Sequence, residues 1–146
     1  MAEHEITLTR RFKTSADNLY AAWTDPSVMR QWLGRNVDAD VRVGGRYRIE
    51  NDGGDGTIFV HSGEYRVLEP GRRIVQTFKA GPAGSDQEQP TPYINEYLEV
   101  QLKPWGPGET ELTFINGWDG EALSAEDQNA TREAWSSWLD LLDSVL

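Results

Sequence analysis

The sequence predicts an α+β fold in which a curved antiparallel sheet of about seven strands wraps around one long C-terminal helix, with two short helices after the first strand. Three observations carry this. Residues 6–12 alternate apolar and polar side chains, turn signals recur at short intervals through residues 37–116, and the final segment carries apolar residues at spacings of three and four. A chain of 146 residues, 38% apolar and 26% charged, has the volume for a single core, so one domain over residues 1–146 is expected.

The elements follow in order. Ile6-Thr7-Leu8-Thr9-Arg10-Arg11-Phe12 has the period of a half-buried strand, and Ser15 then stands as a helix cap with Asp17 in the first turn. Leu19, Tyr20, Ala22 and Trp23 give that helix an apolar face. Asp25-Pro26 interrupts it, and Val28, Met29 and Trp32 mark a second short helix ending near Gly34. Turns at Val43-Gly44-Gly45, Asp52-Gly53-Gly54-Asp55-Gly56, Glu69-Pro70-Gly71 and Pro104-Trp105-Gly106-Pro107-Gly108 separate the next strands, and connections this short imply an antiparallel meander. Residues 81–92, rich in Gly, Pro, Ser and Gln, form the one long polar excursion, a candidate rim or lid. Ser124, with Asp127 three residues on, opens an amphipathic helix whose expected face is Ala130, Ala134, Trp138, Leu141 or Leu142, and Val145.

Composition excludes several function classes. There is no cysteine, which removes disulfides, thiolate nucleophiles and Cys-based metal centres, and His4 and His61 are too few for a multi-histidine site. No metal and no cofactor is expected. A net charge of -10 has the wrong sign for nucleic acid or an anionic membrane surface. No stretch is long and apolar enough for membrane insertion, and the acidic start Met1-Ala2-Glu3-His4-Glu5 does not resemble a secretion signal, so a cytoplasmic protein is expected. Asn51 to Gly56 lacks the alternating ligands and closing glutamate of a calcium loop and reads as a hairpin turn. Gly44-Gly45 opens no helix and is followed by no Gly-Lys-Ser/Thr, so it is a turn and not a phosphate cradle. Asn129-Ala130-Thr131 matches a glycosylation acceptor but falls in a predicted helix.

Several segments together resemble one family. Leu19-Tyr20-Ala21-Ala22-Trp23-Thr24-Asp25-Pro26 is similar to its W-x-x-x-T-D-P element and Gln31-Trp32-Leu33-Gly34 to its W-F-G element. Asp40-Val41-Arg42-Val43-Gly44-Gly45-Arg46-Tyr47 resembles its D-x-R-P-G-G-x-F hairpin, and Gly63-Glu64-Tyr65-Arg66-Val67-Leu68-Glu69-Pro70 its G-E-x-x-E-x-x-P strand. Residues 109–114 and Trp135-Ser136-Ser137-Trp138-Leu139-Asp140-Leu141-Leu142 extend the match through most of the chain, in order. The chain thus resembles the homologue family of the activator of heat-shock-protein-90 ATPase, within the START-like, helix-grip (SRPBCC) superfamily. The resemblance implies a sheet gripping the C-terminal helix and, between them, a cavity that in relatives holds lipids, polyketides, hormones or other apolar small molecules. It implies no single reaction, because the superfamily mixes carriers, cyclases, hydroxylase subunits and co-chaperone domains.

Strand alternation assigns the inward face. Leu98, Val100 and Leu102 carry Ile94 and Glu96 with them, Leu112 and Phe114 carry Asn116, Ile74 carries Gln76 and Phe78, and Phe59, His61, Tyr65 and Val67 share a face unless a bulge intervenes. Of these, Phe59, His61, Tyr65, Gln76, Phe78, Glu96, Leu98, Leu112, Phe114 and Asn116, with Trp32, Tyr47, Trp118, Trp138 and Leu142, form the candidate ligand-binding set, apolar walls with a few polar groups, which is also the composition of a core. Trp23 and Trp135 read as packing residues, whereas Trp32, Trp118 and Trp138 are open to either role. Tyr47, Tyr65, Gln76 and Asn116 are suited to a ligand carbonyl or hydroxyl, or to a neighbouring backbone group.

His61, Glu96 and Tyr65 are the candidate acids or bases, and no triad arrangement accompanies them. The leading expectation is binding of an apolar or aromatic small molecule. The alternatives are a cyclase- or hydrolase-like enzyme using the same cavity and a co-chaperone-like interaction module, with a chaperone partner the least supported. Trp105, in a Pro-Gly turn, is either a homodimer contact or a cap on the sheet end.

Overall fold

In the computed structural model, which describes residues 2–52, 56–83 and 93–146, strand β1 (His4–Phe12) buries Ile6 and Phe12 and turns Thr7 and Thr9 outward. Ser15 caps α1 (Ala16–Thr24), its side chain accepting from the Asn18 amide. Asp25 ends that helix and caps α2 (Pro26–Trp32), accepting from the Ser27 amide at 2.9 Å, with Pro26 at the first helical position where its missing N–H costs nothing. Trp32 fixes the angle between the two helices. It meets Trp23 edge-on at 4.8 Å between centroids and donates its Nε1 proton to the Ala22 carbonyl at 2.8 Å.

The strands β2 (Asn36–Ala39), β3 (Arg46–Asp52), β4 (Ile58–Glu69), β5 (Arg73–Thr77), β6 (Lys79–Pro82), β7 (Tyr93–Gly106) and β8 (Glu109–Gly120) join β1 in one antiparallel sheet of order β1-β8-β7-β5-β4-β3-β2, with β6 beside β4. The sheet has eight strands, in keeping with the expected count of about seven, the additional short one arising where the chain breaks at Phe78 and continues as β6. There β6 pairs with the first half of β4 while β5 pairs with its second half. A register shift between Tyr65 and Val67 adds one residue to β4 at that change of partner.

Gly63 sits where β4 passes from β6 to β5. A Cβ there would lie 1.9 Å from the Thr77 carbonyl oxygen, so only a hydrogen fits between the two backbones. Gly63→Ala is therefore expected to lower stability by about 1–3 kcal/mol through forced separation of the strands. Urea unfolding tests it: a lowered midpoint with an unchanged slope is the expected result, and an unchanged midpoint contradicts it.

Helix α3 (Ala125–Val145) is capped by Ser124, whose side chain accepts from the Asp127 amide, as the sequence predicts. Its buried residues are Trp135, Leu139 and Leu142, while Ala130 and Ala134 are exposed and Trp138 is half-buried. The buried seam is thus turned from the predicted one by about one residue, because Trp135 buries far more apolar area than an alanine does. Arg10 of β1 ties the helix down, donating to Asp140 at 2.6 Å and to the Ser136 hydroxyl at 2.9 Å. The core under α1, α2 and α3 includes Phe12, Leu19, Trp23, Met29, Ile74, Val100, Leu112, Phe114 and Leu139. Among the described residues no helix is long and apolar enough to cross a membrane.

Candidate functional site

The strand registers place the polar inward residues in one row. Tyr65 on β4 lies opposite Gln76 on β5, Gln76 opposite Leu98 on β7, Leu98 opposite Asn116 on β8, and Asn116 opposite Ile6 on β1. The adjacent row, Ile74, Val100 and Phe114, is wholly apolar. All of these residues face the helices, as alternation predicts, and Ile6, Tyr65, Gln76, Leu98, Leu112, Phe114 and Asn116 are buried.

Glu96 joins the row through a bulge. The register shifts between Ile94 and Tyr97, and Asn95 takes a φ of 55°, a left-handed conformation that asparagine tolerates better than most residues. The extra residue separates Ile94 from the face of Leu98, so Ile94, expected inside, is 55% exposed. Asn116 Nδ2 donates to Glu96 Oε2 at 3.0 Å, and Trp135 Nε1 donates to Asn116 Oδ1 at 3.2 Å. Burial pushes the Glu96 carboxyl up from its ordinary range, opposed by the Asn116 hydrogen bond.

Tyr47 donates to the Thr77 carbonyl at 2.7 Å, and burial raises its pKa. Its ring lies 5.4 Å from that of Tyr65. Tyr65 is 0% exposed and its hydroxyl has no hydrogen-bond partner. Burial, with the Tyr20 phenol nearby, pushes its pKa up to about 12. His61 is half-buried between Phe78, 5.3 Å away, and Trp138, 6.1 Å away, both edge-on. Burial lowers its pKa, so at neutral pH it is an uncharged wall residue.

Other members of the predicted set lie apart. Trp32 serves the α1–α2 junction. Trp118 ends the sheet, packing on the His4 ring at 5.7 Å and donating to the Glu121 carbonyl. Phe59 is 43% exposed near the start of β4, and Leu142 is packed in the core. The lid expected at residues 81–92 falls largely outside the described residues, as does the centre of the turn at 53–55. Trp135, expected to pack, fills the seam against Phe114 at 4.6 Å and Phe78 at 5.6 Å. It also orders the polar row through Asn116, a contact that helix spacing does not signal. Trp105 stays 46% exposed, with the Arg11 guanidinium 3.6 Å over its ring.

The seam between sheet and α3 is thus lined by packed aromatic rings. Two open grooves lie elsewhere: one of about 280 Å³ beside Arg30 and Arg48, and one of about 330 Å³ beside Arg72 and Lys103. Among the described residues no group of three or more His, Asp or Glu is placed to hold a metal.

This architecture, a sheet gripping a C-terminal helix, can be set against known proteins. The profile of the family described as activator of Hsp90 ATPase homolog 1-like protein matches residues 13–146. The chain belongs to this family. As a member of the Hsp90-ATPase-activator homologues it fits a ligand-binding or co-chaperone-type module. It is 26% identical over 136 residues to the human activator of 90 kDa heat shock protein ATPase homolog 1, covering 92% of this chain and 34% of that protein, so it spans about a third of the relative's length. A crystal structure of a Rhizobium loti protein superposes with a TM-score of 0.77 at 22% identity, over 98% of this chain and 96% of the other. The solution structure of an Aha1 dimer from Colwellia psychrerythraea also gives 0.77, at 17% identity, over 98% and 96%. These structural likenesses establish the fold that this homologue shares.

Proposed function

We propose that the protein binds an apolar or aromatic small molecule between the sheet and α3, with the row from Tyr65 to Asn116 holding its polar atoms. The observation that carries the reading is the Tyr65 hydroxyl, fully buried among aromatic rings and without a partner. An unpartnered buried hydroxyl costs free energy that packing alone does not return, and a bound molecule supplies the missing partner. Entry runs under the first half of α3. No residue from 125 to 134 is buried, so the first half of α3 is held lightly and can swing while Trp135, Leu139 and Leu142 stay seated.

The test is a thermal-shift screen against fatty acids, flavonoids, aromatic polyketides and sterols. A ligand at about 100 times its Kd stabilises by about 2.7 kcal/mol. For a chain of this size that raises Tm by roughly 5–15 °C. No shift with any class sinks the proposal.

The likeness to the human activator favours a second reading, a co-chaperone-type contact with Hsp90. It requires that the purified chain accelerate Hsp90 ATP hydrolysis; an unchanged rate at saturating chain removes it.

A further inference from the structure

The buried side-chain atoms left without a partner among the described residues are the Tyr65 hydroxyl and Trp23 Nε1. Both can donate, and the indole nitrogen can do nothing else. They lie toward the same element: Trp23 is on α1, and Tyr65 is close enough to Tyr20, one turn earlier on that helix, for the two phenols to interact electrostatically. Three neighbouring acceptors are already engaged. Asn116 Oδ1 takes the Trp135 proton, Glu96 Oε2 takes the Asn116 proton, and the Thr77 carbonyl takes the Tyr47 proton. Both leftover atoms can thus donate, and among the described residues no other buried side-chain oxygen is without a partner.

Charge narrows the choice further. Among the described strand residues on this face the charged ones are Arg10 and Glu96. Arg10 is committed to Asp140 and Ser136, so among the described strand residues on this face no cation remains for an anionic head group. Glu96, half-buried and held in the row by the Asn116 amide at 3.0 Å, places its carboxylate where a second anion would enter, and like charges repel strongly away from bulk water.

We infer that this site selects neutral aromatic molecules bearing a carbonyl or similar hydrogen-bond acceptor, which the Tyr65 hydroxyl engages, and rejects carboxylates, which Glu96 repels. The inference rests on the small-molecule reading above and names the ligand class within it.

Three probes of nearly one shape separate the terms: 2-acetylnaphthalene, 2-ethylnaphthalene and 2-naphthoate, each titrated into the whole chain at pH 7 by calorimetry. The acetyl compound is expected to bind about five- to tenfold more tightly than the ethyl compound, the worth of one neutral hydrogen bond. Naphthoate is expected to bind most weakly. Tyr65→Phe, which deletes an atom that has no partner in the fold, should erase the acetyl preference, bringing the acetyl and ethyl compounds to one affinity. Glu96→Gln, which keeps an acceptor for Asn116, should raise naphthoate affinity about tenfold. Equal acetyl and ethyl affinities, or tightest binding by naphthoate, overturn the inference while the small-molecule site stands. Failure of all three probes to bind overturns the inference, and a thermal-shift screen blank for every class overturns the small-molecule reading with it.

Discussion

Trp135→Ala is expected to lower stability by about 3–5 kcal/mol, more than any other substitution on α3, because it combines an aromatic cavity with a broken polar link. The indole touches Phe114 and Phe78, and its Nε1 proton occupies Asn116 Oδ1. Its loss empties the centre of the seam and leaves Asn116 with an unfilled acceptor. Trp138→Ala is the control on the same helix. That side chain is half-buried, with an edge-on contact to His61, and its removal should cost about 1–2 kcal/mol. Because the Trp135 cavity is shaped for an indole and bordered by a free acceptor, millimolar indole should recover part of the lost stability in Trp135→Ala and none in Trp138→Ala. Urea unfolding with and without indole decides the matter. Equal costs for the two variants would mean that α3 is not seated through Trp135.

Local chemistry made much of this fold readable from the sequence. The Ser15 and Ser124 caps and the Asp25-Pro26 break depend on a few consecutive residues, and the structure forms all three. The inward faces of β5 and β8 follow from strict alternation. Prediction failed where one extra residue changed the phase. The bulge at Asn95 turned Ile94 outward. On α3 several faces carry apolar residues, and spacing could not rank Ala134 against Trp135; side-chain area did. The polar link was not legible at all, since Glu96 and Trp135 reach Asn116 across 20 and 19 positions of sequence. Trp32 was ambiguous for a related reason. Its partner, the Ala22 carbonyl, is a backbone atom freed by the helix break, and side-chain patterns do not report such atoms.

Asn116→Asp is expected to cost about 3–5 kcal/mol at pH 7 and to recover most of that near pH 4. The substitution is nearly isosteric, so packing is preserved and electrostatics carries the effect. At pH 7 it removes the donor that Glu96 accepts from and sets a second carboxylate about a hydrogen-bond length away, with Trp135 Nε1 as the remaining donor. Burial already raises the Glu96 pKa in the fold, and a like charge raises it further. A carboxyl whose folded pKa lies above its unfolded value contributes its stability fully below the unfolded pKa and loses it as pH rises through the folded one. The deficit should therefore open above about pH 4.3, the ordinary glutamate value, and widen toward neutrality. His61 works in the opposite sense: burial lowers its pKa, so its contribution is present above the unfolded value and lost as pH falls through the folded one. Both proteins carry His61, so it cancels in the difference between their unfolding midpoints at pH 4, 5.5 and 7. Glu96→Gln supplies the converse, gaining on the parent as pH rises through the same window. If the difference for Asn116→Asp is instead flat across pH, Glu96 is solvated in the fold, and its proposed exclusion of anionic ligands fails with it.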